Sequence, residues 1–456
     1  MNGQLYDTIC NIIANLNNLL WGFETVLLVF GAGIFFTVRI KCFNVIHIVH
    51  AFKSTIFKKG TTRKFSSKGS LSQFQALSTA LAASMGTGNI IGVAAAISIG
   101  GAGAIFWMWV SAILGSSLAF VENVLGVKYK KHGGGPMAYI SKGLGSPALA
   151  AVYAAACALA SFGIGNMTQT NAMSSAAAEL GVSPFFSGAI IALLCGAIIF
   201  RGSKKVASAA EKLIPFVSVL YVAAAVTVIA VYGRNISEML MHIFLSAFGI
   251  SQISGGICGA VLKKSISTGL RRGIFSNEAG MGSSVLVHTE TECDEPAVMG
   301  MWAVVEVVID TLLCCTLTAF VILLTGADRS GADGIGMVTE AFRSVSGSFA
   351  PYFTTAVTVI FAFCTLLGWY FYGEKCVTYI YRNGRGRTPK RAVFFYRAAY
   401  TLAAFIGAVL QLSLVWELAD LFNWFMLMIN LFALIVLNRE AADYTKDYTK
   451  RIKQTK

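Results

Sequence analysis

Apolar runs long enough to cross a bilayer recur along almost the whole chain, and short polar stretches separate them. Since about 20 apolar residues in a helix span the hydrocarbon core, each run predicts one membrane-spanning helix. A loop with a short helix is predicted over residues 233–252. The pattern predicts an all-α polytopic membrane protein of about eleven spans, over residues 19–40, 71–99, 104–127, 148–180, 184–200, 213–232, 253–289, 298–325, 351–372, 392–412 and 417–437.

The second run is interrupted at its centre by Ser-Met-Gly-Thr-Gly-Asn at residues 84–89. Glycine, threonine and asparagine are poor helix formers, and glycine allows the backbone to leave the helix and approach a ligand. Unwound backbone is tolerated at membrane depth only where it lines a protected cavity. The interruption therefore predicts a broken helix at a substrate and ion site, as in secondary transporters.

A similar interruption, Ser-Asn-Glu-Ala-Gly-Met-Gly at residues 276–282, lies in the seventh run. The two runs are five spans apart, an odd number, so corresponding helices cross the membrane in opposite directions. This spacing predicts a five-plus-five inverted repeat with one extra N-terminal helix. Close helix packing through small residues is the alternative for each cluster alone; their corresponding positions favour a site.

The inverted repeat predicts four parts of the chain. They are an N-terminal transmembrane helix with a cytoplasmic basic loop (1–70), the first five-helix repeat (71–233), the second (234–438) and a cytoplasmic basic tail (439–456).

The distribution of charge predicts the orientation of the chain in the membrane and argues against nucleic acid as a partner. The chain is 56% hydrophobic and 13% charged, with a net charge of +14. Most cations follow the odd-numbered spans or lie in the tail, as the positive-inside rule requires, so they do not indicate nucleic-acid binding. The N-terminus is predicted outside and the C-terminus in the cytoplasm, across the plasma (inner) membrane. Four cations lie within the seventh predicted span and do not fit this alternation of cationic loops. Either they line an aqueous vestibule or the span starts later than residue 253. They are Lys263, Lys264, Arg271 and Arg272.

Each break supplies two kinds of binding group. A half-helix N-terminus suits a carboxylate, whereas a half-helix C-terminus and unwound carbonyls suit a small cation such as Na+. A zwitterionic amino acid beside Na+ is thus the expected ligand. Candidate hydroxyl and amide ligands are Ser84, Thr87, Asn89, Ser276 and Asn277. Bulky side chains that indicate a small substrate, or alternatively plain core packing, are Met85, Met173, Met281, Phe361 and Trp369.

Further polar residues lie within the predicted spans. Glu278 is an intramembrane carboxylate, and either a functional role or a hydrogen bond to loop N–H groups explains it. Asn166 and Gln169 share a helix face and predict either ligand contact or interhelix bonding. Interhelix bonding is the preferred interpretation for the other intramembrane carboxylates, Glu122, Glu306 and Asp310.

The sequence does not indicate an enzyme. It contains no G-x-S-x-G, P-loop or H-E-x-x-H pattern, and its five histidines form no spaced cluster. A proton-coupling role for His288 near Glu290 is one alternative, and a membrane-edge histidine without special role is the other. Channels need a continuous polar path, whereas the polar residues here cluster at one depth.

Three stretches resemble the alanine or glycine:cation symporter family. They are residues 87–94 (Thr-Gly-Asn-Ile-Ile-Gly-Val-Ala), 133–137 (Gly-Gly-Gly-Pro-Met) and 273–282 (Gly-Ile-Phe-Ser-Asn-Glu-Ala-Gly-Met-Gly). The resemblance covers nearly the whole chain. It implies a sodium–amino acid symporter with a broken-helix fold, substrate between the breaks, Na+ as coupling ion and no organic cofactor.

A remoter likeness is to the neurotransmitter:sodium symporters, whose first core helix carries Gly-x-Gly-Asn, here residues 86–89. The match implies that Ser84, Thr87 and Gly88 face the substrate. It also implies a Na+ site of Ala82 and Met85 carbonyls with Ala362 and Thr365, and a ligand of a second Na+ site at Asn89. Leu366 stands where those proteins carry a further hydroxyl ligand, and a Thr365 bonded to its own preceding carbonyl is the alternative to a Na+ ligand. Their second break aligns with Gly280, Met281 and Gly282.

These observations lead to one expected function with open alternatives. The chain is expected to import alanine, glycine or a similar small neutral amino acid together with Na+. The alternative on the same fold is transport of glutamine or another neutral amino acid, or coupling to H+. The expected partners are the amino acid, Na+ and the lipid bilayer, and the oligomeric state stays open.

Overall fold

Helices make up nearly all of the structure, a computed structural model that describes residues 2–56, 70–250, 258–385, 390–410 and 413–455. The helices ahead of the repeats are α1 (Asn2–Leu20), α2 (Phe23–Arg39), α3 (Phe43–Ile46) and α4 (Ile48–Ser54). The first repeat comprises α5 (Gln73–Ser84), α6 (Ile91–Gly100), α7 (Gly103–Lys128), α8 (Gly135–Ala138), α9 (Pro147–Phe162), α10 (Thr168–Ala178), α11 (Pro184–Ile199) and α12 (Ser203–Val231).

A short helix, α13 (Ile236–Ala247), lies in the stretch 233–252, where the sequence predicts a loop with a short helix. The second repeat comprises α14 (Cys258–Asn277), α15 (Val285–His288), α16 (Pro296–Val307), α17 (Thr316–Thr325), α18 (Gly334–Ser346), α19 (Ala350–Arg385), α20 (Lys390–Val409) and α21 (Ser413–Val436). The chain continues into α22 (Asn438–Thr455).

The described helices account for the predicted spans. Eight helical stretches are long and apolar enough to cross a membrane, and the 16-residue α11 is a shorter apolar helix. The α5–α6 and α14–α15 pairs are the two interrupted helices. The eight long stretches, α11 and the two interrupted helices together account for the eleven predicted spans. The predicted all-α fold with two broken helices is therefore confirmed.

Three helices exceed their predicted bounds because polar residues continue them beyond the apolar run. The first span draws on both α1 and α2, which form one apolar stretch from Cys10 to Arg39. The helix α12 begins ten residues before the predicted residue 213, and α19 extends past the predicted residue 372 to Arg385. The apolar pattern marks where a helix meets lipid, and not where the helix ends.

The polar tail is also helical. In α22, Tyr444, Tyr448 and Ile452 recur every four residues and are partly buried against the core. Such spacing places side chains on one face of a helix. The tail therefore packs as an amphipathic helix although its composition is polar.

Two helical spans contain π-helical segments. In such a segment each backbone N–H bonds to the carbonyl five residues earlier, and not to the carbonyl four residues earlier. The segment Gly163–Met167 joins α9 to α10, and the segment Val308–Cys315 joins α16 to α17. Each extra residue per turn rotates the following part of the span relative to the preceding part.

Ion pairs tie the loops together at one end of the bundle, here called the cationic end, where α7 and α19 end. Lys375 Nζ lies 2.6 Å from Glu290 Oε2, and Lys130 Nζ lies 3.2 Å from Asp294 Oδ1. The side chains of Lys375, Glu290 and Lys130 are partly exposed, and that of Asp294 is almost fully exposed. A polar cavity of about 840 Å³ lies among these loops.

Candidate functional site

The first break separates α5 from α6. Helix α5 starts at a capping box, in which Ser72 Oγ accepts from Gln75 N at 3.0 Å and Gln75 Oε1 accepts from Ser72 N at 3.1 Å. It ends at Ser84, and the backbone then leaves helical geometry at Met85 and at Gly86, whose φ is −124° and ψ −144°. The helix resumes after a short turn over Thr87–Asn89.

The two glycines of this break have opposite surroundings. A Cβ at Gly86 would lie 2.2 Å from Thr365 Oγ1 on α19 and 3.2 Å from Gln169 Oε1, so the backbone approaches α19 as only glycine permits. A Cβ at Gly88 would meet no heavy atom within 4 Å. Gly86 therefore fits a close contact, while Gly88 borders open space.

The second break follows α14. Glu278 has a φ of +53°, a left-handed conformation that is unusual for a residue with a side chain. Its carboxylate is held from two sides, because Oε1 accepts from Trp369 Nε1 at 3.0 Å and Oε2 accepts from Ser283 Oγ at 2.5 Å. These bonds link the break to α19 and keep the strained backbone in place.

A second set of polar contacts fastens the glycines that follow. Glu122 Oε1 accepts from Gly282 N at 3.1 Å and from Asn430 Nδ2 at 2.5 Å. Asn430 Nδ2 also donates to Gly280 O at 2.8 Å, and Tyr153 Oη donates to Met281 O at 2.7 Å. Helices α7, α9 and α21 thus hold the loop from behind, and the backbone of Gly280 and Met281 bonds to these helices.

Replacing Asn430 by alanine is expected to destabilise the fold by about 2–3 kcal/mol, since buried groups then lose their partner. The affected groups are the Glu122 carboxylate, the Gly280 carbonyl and the Tyr139 hydroxyl, which donates to Asn430 Oδ1. Thermal unfolding in detergent should show a lower midpoint. The exposed Asn235, whose side chain does not cap α13, is the matched alanine control and should leave the midpoint unchanged. Equal midpoints for both variants would contradict this role of Asn430.

A cavity of about 590 Å³ lies between the two breaks, on the side of α6 and α14. Seven of the residues singled out by sequence line it, namely Ser84, Thr87, Gly88, Gln169, Glu278, Thr365 and Trp369. The structure thus brings both breaks, α10 and α19 to one space.

Several of these groups have defined hydrogen-bonding states. Gln169 Oε1 accepts from Thr87 Oγ1 at 3.1 Å, and Gln169 Nε2 donates to Ile164 O at 3.0 Å. Ser84 Oγ is buried and has no hydrogen-bond partner within the described part of the chain. A buried polar atom without a partner is costly, so Ser84 is a candidate for contact with a ligand.

Other predicted substrate residues lie behind the cavity wall. Asn166 Nδ2 donates to Tyr400 O on α20 at 2.7 Å, which is interhelix bonding. Asn277 Oδ1 accepts from Ala279 N at 3.0 Å within the break. The cavity lining also lacks five further predicted residues, which are buried elsewhere: Met173, Ser276, Gly280, Met281 and Phe361.

The residues singled out for Na+ are all buried. Ala82 and Met85 lie at the C-terminal end of α5, where carbonyls lose their helical partners. Thr365 Oγ1 faces Gly86 and donates to Phe361 O at 3.2 Å, while Ala362 lies three residues earlier on α19. Asn89 lies apart from this group and bonds to Asp310.

Sequence reasoning did not identify Asp420, a charged residue of the cavity lining. Arg271 Nη2 donates to Asp420 Oδ2 at 3.0 Å, and both residues line the cavity together with Arg272. The two arginines therefore line a vestibule, one of the two alternatives that the sequence left open. Lys263 and Lys264 are exposed. Asp420 lies within a predicted apolar span, and this carboxylate was an available signal.

Two broken helices that meet at a cavity, within inverted five-helix repeats, define a secondary transporter of the amino acid/sodium symporter fold. The crystal structure of MhsT in complex with L-phenylalanine has this fold. The likeness has a TM-score of 0.56 at 12% identity and covers 82% of this chain and 90% of that one.

The chain belongs to the sodium:alanine symporter family, which it matches over residues 6–456. It is 37% identical to the probable sodium/glutamine symporter GlnT of Bacillus subtilis, over 98% of this chain and 92% of that protein. It is 35% identical to the sodium/alanine symporter AgcS of Methanococcus maripaludis, over 96% and 97% of the two chains. The protein is thus a multi-pass membrane protein and a cation-coupled amino acid transporter.

Proposed function

We propose that this protein imports a small neutral amino acid, alanine or glycine, together with Na+ across the plasma (inner) membrane by alternating access. The observation that carries the proposal is the cavity between the breaks. It combines the Ser84 hydroxyl, which has no hydrogen-bond partner among the described residues, with the open face of Gly88. It also holds groups of both charges, the Glu278 carboxylate and the Arg272 guanidinium. A zwitterion complements such a pair.

The amino acid ammonium binds at Glu278 in this proposal. The carboxylate accepts two hydrogen bonds, from Trp369 and Ser283, and a carboxylate offers about four acceptor positions. The substrate carboxylate faces Ser84 and the N–H groups beyond the first break. Trp369 and Gln169 bound the room for the side chain. The predicted residues behind the wall, Asn166, Met173, Ser276, Asn277, Gly280, Met281 and Phe361, support these groups.

Sodium binds at the C-terminal end of α5 in the same proposal. The carbonyls of Ala82 and Met85 face α19, where Ala362 and the Thr365 hydroxyl complete the ligands. The closeness of Thr365 Oγ1 to Gly86 supports this placement. The cationic end lies in the cytoplasm, with the N-terminus outside, so the cavity beside α6 and α14 faces outward.

Glutamine is the second candidate substrate. The cavity of about 590 Å³ exceeds what alanine fills, and a relative that is 37% identical over 98% of this chain is named for glutamine. Proton coupling is the corresponding alternative for the ion.

Uptake into liposomes discriminates among these candidates. The reconstituted protein is given labelled alanine, glycine or glutamine under an inward Na+ gradient, or under an inward H+ gradient without Na+. Alanine and glycine are expected to accumulate with Na+ alone, and a Na+ ionophore should abolish accumulation. Accumulation of glutamine only, or with H+ only, would replace the proposal by the corresponding alternative. Uptake that ignores both gradients would refute symport.

A further inference from the structure

Helices α2 and α21 run side by side in the same direction. Near one end of the pair, Trp424 Nε1 donates to Thr25 Oγ1 at 3.3 Å, and at the other end Arg39 Nε donates to Asn438 Oδ1 at 2.9 Å. Fourteen residues separate the two bonding positions in each segment. This is a rise of about 21 Å in a helix. The extra N-terminal helix is therefore paired along its length with the last helix of the second repeat.

Both helices present apolar side chains outward in their last turns. Phe35 and Val38 of α2 are 43% and 67% exposed, and Phe432 and Val436 of α21 are 55% and 50% exposed. Both helices belong to stretches that are apolar enough to cross a membrane. Exposed apolar surface on a spanning helix contacts the acyl chains of lipids. This surface therefore lies in the hydrocarbon region, next to the level of the headgroups.

Three exposed cations lie where the two helices end. Arg39 is the last residue of α2, Lys41 follows it closely, and Arg439 lies in the first turn of α22, directly after Asn438. None of the three forms an ion pair within the described part of the chain. Unpaired cations at the end of a span lie at the level of the lipid headgroups.

The carboxylates at the start of α22 do not balance these cations. Glu440 accepts from Lys128 Nζ and, at 3.0 Å, from Tyr129 Oη, so its charge is paired with the end of α7. This contact also places the start of α22 at the cationic end of the bundle. Asp443 is exposed, lies one turn beyond Arg439 and forms no ion pair with a described residue. Three cations therefore share one unpaired carboxylate.

Arg39 is oriented for a phosphate group. Its Nε is bonded to Asn438 Oδ1, while its two terminal nitrogens make no hydrogen bond to the described residues. A guanidinium binds phosphate oxygens through such N–H groups, and with more geometric specificity than an ammonium does. Because the bond to Asn438 already restrains the side chain, binding a phosphate costs less conformational entropy.

We infer that this end of the α2–α21 pair binds an anionic phospholipid. The phosphate lies at Arg39 and Arg439, and the acyl chains lie along the exposed apolar side chains of the two helices. A molecule that joins a negatively charged phosphodiester to two acyl chains matches both the charge and the apolar surface, whereas a soluble anion matches only the cations. The bound lipid ties the extra N-terminal helix to the second repeat. The inference does not depend on which ion or amino acid is transported.

Lipid binding to the purified protein tests the site. Full-length protein in an uncharged detergent is titrated with phosphatidylglycerol or with phosphatidylcholine of the same acyl chains, and native mass spectrometry gives the apparent Kd of the first bound lipid. The wild type is expected to bind phosphatidylglycerol about tenfold more tightly, or better. The double variant Arg39→Gln/Arg439→Gln should weaken phosphatidylglycerol binding by about 10- to 30-fold, since each cation near the headgroups contributes about fivefold. Its affinity for phosphatidylcholine should not change.

The matched control is Lys204→Gln, which removes an exposed cation at the start of α12. Arg397 Nη1 donates to the preceding Phe200 O at 3.4 Å, and Arg397 also bonds to Glu374, the neighbour of Lys375. Lys204 therefore lies at the same end of the bundle but away from the α2–α21 pair. This variant should keep the wild-type affinity for phosphatidylglycerol, whereas Arg439→Gln alone should lose about fivefold.

Three outcomes would overturn the inference. They are equal affinities of the wild type for the two lipids, a loss in Lys204→Gln as large as in the double variant, and full displacement of phosphatidylglycerol by equimolar inorganic phosphate, which would indicate a site for a soluble anion. Because Arg39→Gln may cost the bond to Asn438 and thereby the fold, Lys41→Gln/Arg439→Gln is a second double variant that keeps this bond. Unchanged phosphatidylglycerol affinity in that variant would also overturn the inference, and a loss of about tenfold supports it.

Discussion

Gly88→Leu is expected to abolish amino acid uptake without changing the thermal unfolding midpoint. Gly88 borders the cavity, and a Cβ there meets no heavy atom within 4 Å, so a leucine side chain enters the cavity without displacing protein. The bulk then occupies the room between the breaks that the substrate requires. Initial rates of alanine uptake in liposomes and unfolding in detergent measure the two halves of this expectation.

Two other glycines provide the controls. Gly31 is exposed on α2 and also has open space, so Gly31→Leu should leave both uptake and stability unchanged. Gly86→Ala should lower stability, because its Cβ would lie 2.2 Å from Thr365 Oγ1. Normal uptake by Gly88→Leu would place the substrate elsewhere.

Glu278→Gln is expected to raise the KM for alanine by about 10- to 100-fold, the cost of losing a hydrogen bond to a charged group. Glutamine can still accept from Trp369 Nε1 and donate to Ser283 Oγ, so the break should remain folded. Concentration-dependent uptake gives KM, and the unfolding midpoint reports the fold.

Two variants separate charge from structure at this position. Glu278→Ala removes both hydrogen bonds and should lower the unfolding midpoint as well as uptake. Trp369→Phe removes only the indole donor and should have the smaller effect on KM. A Glu278→Gln variant with unchanged KM would make Glu278 a purely structural anchor of the second break.

The breaks and spans were accessible from sequence because their causes are local. The thickness of the hydrocarbon core sets the length of an apolar run, and the small polar residues at 84–89 and 276–282 contrast with their apolar surroundings. The Arg271–Asp420 pair was not accessible, because it joins residues far apart in the chain. Composition shows that a carboxylate is buried without showing which partner meets it.

The π-helical segment Gly163–Met167 explains why Asn166 and Gln169 do not lie on one face of their helix. Asn166 and Gln169 share a face if the span is a regular α-helix, but Asn166 lies within the segment Gly163–Met167 and Gln169 follows it. The wider turn breaks the regular spacing, so Asn166 meets α20 while Gln169 faces the cavity. Counting residues by 3.6 per turn fails across such a segment.

The ion pairs of the cationic end are expected to make the conformation of this transporter sensitive to ionic strength. Lys375–Glu290 connects α19 to the loop after α15, and Lys130–Asp294 connects the end of α7 to the loop before α16, so any opening between these elements breaks the pairs. Both pairs are accessible to solvent, and salt screens such charges over a Debye length of about 8 Å at 0.15 M. If Na+ is the coupling ion, as we propose, added NaCl acts twice, once as that ion and once as a screening electrolyte that weakens these two ion pairs. Replacing Na+ by choline at constant ionic strength separates the effect of Na+ as an ion from the effect of screening.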